Sequence, residues 1–141
     1  MKKGKVCISV FVALFMCVAI VQFSVITNAA NTVSKSKNGD YSKITGTYTG
    51  YSAQGIVQAI GVGKNNMSST KYMNVTVKAL NGNGATVSSV KANGAVIKGG
   101  TLSTELWKVS DDYKLQAESK LHTYNNSSSA VKETLKVTFK N

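Results

Sequence analysis

One histidine, six carboxylates and no arginine are the groups from which this chain would have to assemble catalytic chemistry. His122 falls in the alternating run 114–124. Leu115, Ala117, Ser119 and Leu121 share one face of that run; Lys114, Gln116, Glu118, Lys120 and His122 share the other. The pattern predicts a solvent-facing imidazole. A nucleophilic site would also need an activated partner, yet there is no Gly-x-Ser-x-Gly elbow, and both cysteines (Cys7, Cys17) lie in the first 17 residues. The neighbouring acids Asp111 and Asp112 lack the D-x-D-x-D-G spacing of a calcium loop, and a lone histidine without thiolates does not make a zinc site. Glu105, two residues from Trp107, is the first acid to inspect for glycoside hydrolysis, although a surface charge opposite a lysine explains it more simply. The expectation is therefore no catalytic residue, no metal ligand and no cofactor.

Binding chemistry is better represented. Tyrosines combine an apolar ring with a polar tip and suit a sugar or wall polymer, so Tyr48, Tyr51 and Tyr72 are candidate ligand contacts. Trp107, the only tryptophan, is expected in the core. All 17 basic residues are lysine. Lysines act as point charges without the planar fork of arginine, which disfavours specific nucleic-acid reading and favours an anionic wall polymer, a glycan or an acidic membrane surface. Lys114, Lys120 and Lys136, each on the polar side of an alternating run, complete the candidate contact set. Abundant lysine and asparagine without arginine fit an AT-rich, bacterial genome.

The N-terminus sets where such a surface would work. Lys2, Lys3 and Lys5 precede an apolar run from Val6 that fades by Ile26 into Thr27-Asn28-Ala29-Ala30. Positive, apolar and small-residue regions in that order make residues 1–30 a signal peptide, cleaved after Ala29 or Ala30, and the remainder an extracellular protein. An uncleaved anchor is the alternative, since 6–26 is long enough to span a bilayer, but Ser9, Gln22 and Ser24 interrupt it. Cleavage after Ala30 would leave 111 residues with no cysteine, 14 lysines and six acids, a net charge of +8. A domain of that size is held by its core and its sheet ladders rather than by disulfides.

The elements that must position these side chains are β throughout. Residues 31–39 are polar and aperiodic and are expected to be a flexible leader; residues 40–141 form the domain. Strands are predicted over 41–53, 71–80, 86–91, 95–97, 102–109, 114–124 and 135–140, with a strand or short helix over 55–62. Asn81-Gly82-Asn83-Gly84 is the strongest hairpin signal, and Asn93-Gly94 is expected to turn. The parity of 102–109 breaks near Glu105, which implies a bulge there or two covered faces. Six to eight short strands joined by such turns predict an antiparallel β-sandwich, with a small β-barrel as the second arrangement. The function that follows is a secreted, non-enzymatic binding module at the cell envelope. The alternative is a membrane-active toxin or bacteriocin, and an enzyme stands third.

Overall fold

A computed structural model describes residues 31–51 and 54–141; the expected signal peptide lies outside the described residues. Among the described residues nine strands follow one another: β1 (Thr32–Asn38), β2 (Ser42–Tyr51), β3 (Ile56–Asn65), β4 (Lys71–Leu80), β5 (Thr86–Val96), β6 (Thr101–Ser103), β7 (Trp107–Ser110), β8 (Lys114–His122) and β9 (Val131–Lys140). They form two antiparallel sheets. The first has the order β1-β2-β3-β6, with β7 also on β3, and the second has the order β5-β4-β8-β9. The sheets face each other as a sandwich and do not close into a barrel.

Between them lies the core: Ile44, Val57, Ala59, Met73, Val75, Val77, Ala79, Leu115, Ala117, Leu121, Leu135 and Phe139. In β4 and β8 these are the alternate positions that periodicity assigns inward. Strand β3 is different. Its inward residues are Val57, Ala59, Gly61 and Gly63, while Ile56, Ile60 and Val62 point outward. Gly61 faces Val77 and Gly63 faces Met73, so close that an added Cβ would stand 2.7 Å from Val77 Cγ2 or 2.6 Å from Met73 Sδ. Side chains of the second sheet therefore fill the space that β3 leaves at its two glycines. That is why the segment 55–62 shows no clean alternation and yet is strand rather than helix.

Three further segments differ from the sequence reading. Residues 32–38 are not a leader but the edge strand β1, paired with β2 from Thr32↔Thr49 to Asn38↔Lys43. Hydroxyl pairs Thr32–Thr49, Ser34–Thr47 and Ser36–Thr45 at 2.7–3.0 Å lock that pairing, so polar residues here serve a ladder. Asn93-Gly94 does not turn, because β5 runs straight through it alongside the ten-residue β4. Residues 102–109 are two strands rather than one. Both pair with β3, and Thr104 holds the break between them by exchanging backbone and side-chain hydrogen bonds with Gly61, which accounts for the parity change. The Asn81-Gly82-Asn83-Gly84 hairpin forms as expected: Asn81 Oδ1 accepts from the Asn83 and Ala85 amides, and Gly84 takes φ +80°.

Asn31 and Asn141 lie at one end of the sandwich. The Asn31 carbonyl accepts from Gly50 N, and Tyr48 nearby packs its ring 6.3 Å from that of Phe139, two residues before the last. At the other end, Glu133 at the start of β9 accepts hydrogen bonds from the amides of Asp40 and Tyr41 and from Ser42 Oγ, tying the β1–β2 turn to the second sheet.

Candidate functional site

The outer face of the second sheet gathers the charge. Along β4 it carries Tyr72, Asn74, Thr76 and Lys78; along β5, Ser89, Lys91 and Asn93; along β8, Lys114, Gln116, Glu118, Lys120 and His122; on β9, Lys136 and Thr138. Five lysines thus surround one acid. A shallow depression of about 280 Å³ opens among them, lined by Asn74, Thr76, Lys78, Lys91, Glu118 and Lys120.

Glu118 organises this face. Although on the outward side of β8, it is only 6 % exposed, because lysines from three strands fold over it. Its carboxylate accepts a 2.8 Å hydrogen bond from Lys78 Nζ, with Lys136 at 3.4 Å and Lys120 at 3.6 Å. Burial pushes its pKa up, but the Lys78 hydrogen bond and the attraction of Lys78, Lys136 and Lys120 prevail and hold it below the ordinary glutamate value. A lowered folded-state pKa means stability that is complete above the ordinary value and lost as pH falls through the folded one. Lys120 and Lys136 are about half exposed and add little; the Lys78 contact dominates. Glu118→Gln is accordingly expected to cost about 1–3 kcal/mol at neutral pH. In urea titrations at several pH values, that difference should shrink steadily as the wild-type carboxylate protonates.

His122 does not face solvent. It is buried, with Nδ1 2.8 Å from the Ser129 carbonyl and Nε2 2.8 Å from Asn74 Nδ2, and Tyr72 meets its ring edge-on at 5.3 Å. A carbonyl can only accept, so Nδ1–H donates to Ser129, and Nε2 meets the Asn74 amide. Two features hidden from alternation bury it. The pairing of β8 with β9 shifts register between Leu121 and His122, and the loop 124–130 folds back over the strand end, with Thr123 N donating to the Ala130 carbonyl. Both ring nitrogens are engaged, so His122 is a lock between β4, β8 and this loop.

The candidate contacts fare unevenly. Tyr72, Lys114, Lys120 and Lys136 come together on the outer face just described. Tyr72 is half-buried and its hydroxyl donates to Asn93 Oδ1 at 2.8 Å. Tyr48 points inward and packs on Phe139, so it belongs to the core; the side chain of Tyr51 lies outside the described residues. Lys78, Lys91 and Asn74, which the sequence reading did not select, complete the depression. Asn74 and Lys78 stand on the polar face of 71–80 and Lys91 in the predicted strand 86–91, but only the strand order β5-β4-β8-β9 brings them beside Lys120.

Trp107 packs against the core from β7. Glu105 is exposed; Asp111 pairs with Lys140 at 3.1 Å, and Asp112 accepts from Ser110 Oγ. Among the described residues no cluster of three His, Cys, Asp or Glu side chains could hold a metal ion.

No family model and no curated protein matches the sequence. Among solved structures, the chain is similar to a Bacteroides uniformis β-glucuronidase (13% identity, TM-score 0.42), over 76% of this chain and 12% of that one. It is also similar to a β-glucuronidase from glycoside hydrolase family 2 (15% identity, TM-score 0.39), over 77% of this chain and 11% of that one. CsgH of R. palustris is similar at 11% identity and TM-score 0.36, over 79% of this chain and 91% of its own. This chain therefore spans about an eighth of the β-glucuronidase lengths.

Proposed function

We propose that this protein is a secreted, non-enzymatic binding module that holds an anionic polymer, such as an acidic glycan or wall polymer, against the outer face of the β5-β4-β8-β9 sheet. The observation that carries the reading is the lysine-rimmed depression. Lys78, Lys91 and Lys120 surround a floor of Asn74 and Thr76, with Glu118 pinning Lys78 in place. The depression is open and small beside an enclosed substrate pocket, which suits one segment of a long chain. Lysine point charges give attraction without a bidentate grip, which suits a repeating polyanion. Among the described residues Glu118, the acid at the depression, is committed to Lys78, and Glu133 and Asp111 are held in contacts elsewhere.

Binding to a soluble polyuronate and to polyphosphate tests this. Affinity should fall steeply between 0.1 and 1 M salt, as the Debye length shrinks from about 10 to about 3 Å. Combined substitution of Lys91, Lys120 and Lys136 by glutamine should weaken binding about tenfold, at roughly half a kcal/mol per exposed charge. Replacing Lys43, Lys64 and Lys108, on the outer side of the other sheet, should leave affinity within about twofold on the same scale. Equal loss from both sets would show general attraction to a basic protein rather than a site.

A further inference from the structure

A sandwich of two open sheets has four edges, and each exposes unpaired backbone groups unless something blunts it. Among the described residues three edges are blunted. On β1, Lys35 and Lys37 lie opposite Gly46 and Ile44 and so sit on the inward side, where an added strand would have to bury them. On β9, Lys132, Lys136 and Lys140 recur along the strand, and its pairing with β8 shifts register at both ends. The edge made by β6 and β7 is only three and four residues long, with Thr104–Leu106 breaking it. Strand β5 is the exception. It has eleven residues, regular pairing from Ser88 to Val96, one lysine and no proline.

Which of its backbone groups are free follows from the register. Tyr72 N donates to the Tyr124 carbonyl on the β8 side, so Tyr72, Asn74, Thr76 and Lys78 direct their backbone groups toward β8, and Met73, Val75 and Val77 direct theirs toward β5. Their partners Gly94, Ala92 and Val90 are thereby occupied. Ser89, Lys91, Asn93 and Ala95 present N–H and C=O outward. At the end of the strand Asn65 Nδ2 takes the Val96 carbonyl at 2.8 Å.

We propose that this edge is a docking site for an extended acidic segment of another protein, which adds as a fifth strand beside β5. The chemistry of the two sides sets the pattern of that segment. Residues placed across from Ser89, Lys91 and Asn93 share the outer face with Lys91 and Lys78, where carboxylates are complementary. Residues between them turn inward beside Val90, Ala92, Gly94 and Val96, where small apolar side chains fit. The partner strand thus alternates acid and small apolar residue. A second copy of this chain does not fit that pattern. Its β5 carries lysine and no acid, and pairing two such edges would join two lysine faces into one.

The probe is a synthetic peptide of alternating glutamate and valine, titrated into the protein while amide exchange is followed by NMR. The Ser89, Lys91, Asn93 and Ala95 amides are expected to gain at least about tenfold protection on the scale of a few added backbone hydrogen bonds, and a lysine–valine peptide is expected not to bind. Ser89→Pro removes one outward N–H without touching the β4 ladder, so it should retain the melting temperature and lose peptide affinity. Three results would overturn the proposal. The first is absence of binding. The second is binding that survives Ser89→Pro or leaves the four amides unprotected, which would mean that the peptide lies on the lysine face as a polyanion. The third is concentration-dependent dimerisation abolished by Ser89→Pro, which would make the occupant a second copy.

Discussion

Phe139→Ala should reduce the unfolding free energy by about 3–5 kcal/mol in urea titration, a large share of the 5–15 kcal/mol typical of a single domain. Phe139 is 1 % exposed and fills the space left by Gly46 on the facing sheet, where an added Cβ would run into its ring. The ring also packs on Tyr48. Truncation therefore opens a cavity between two sheets that cannot close on it, since both are fixed by their ladders. The opposite change, Gly46→Val, should cost about 1–3 kcal/mol by overpacking the same site. Together the two substitutions should cost clearly less than their sum, because the valine occupies volume that the alanine vacates. Strict additivity would mean that residues 46 and 139 do not share the space.

Asn65→Leu should lower stability by about 3 kcal/mol, with the melting temperature falling by roughly 10–20 °C in a domain of this size. Asn65 is fully buried. Its Nδ2 donates to the carbonyls of Ser69 and Val96, and its Oδ1 accepts from Met67 N at 2.9 Å. Its own backbone bonds Gly99 and Gly100, so one residue closes the crossover from β5 in one sheet to β6 in the other. Leucine matches the volume and leaves those buried groups without partners, a loss that apolar packing does not offset. Asn65→Asp keeps the acceptor but turns a carboxylate oxygen toward two carbonyls, and should be at least as damaging. Calorimetry distinguishes this from a surface role, for which the change would stay within about 0.5 kcal/mol.

The architecture was legible wherever a strand buries one face under large side chains. In β4 and the first part of β8, Val, Met and Leu alternate with polar residues, and the sandwich follows from repeating that pattern between Asn/Gly turns. It was illegible where the core is made of absent side chains. Gly61 and Gly63 reverse the usual sense of β3, putting its isoleucines outside. Strand β1 was missed because its partners are serine and threonine hydroxyls, which in a linear sequence look the same as a loop. The candidate site was half legible. Alternation put Lys120 and Lys136 outward, but whether an outward residue stays wet depends on what folds over it. Glu118 is covered chiefly by Lys78 and Lys136 from neighbouring strands and His122 by a returning loop, and neither contact can be read from 114–124 alone.

The placement of Asn31 and Asn141 at one end has a mechanical consequence. Among the described residues the backbone of β1 pairs only with β2 and that of β9 only with β8, so apart from the Glu133 contacts the two outermost strands are each held by a single ladder. Tension applied between residues 31 and 141 pulls across those ladders rather than along them. It loads one rung at a time, beginning at Asn31–Gly50 on one side and Leu115–Lys140 on the other. Such a geometry opens like a zip at low force, whereas a sandwich pulled from opposite ends must shear many rungs at once. Force carried through this domain would peel β1 and β9 away first, exposing Phe139 while the central β4–β8 pair still held.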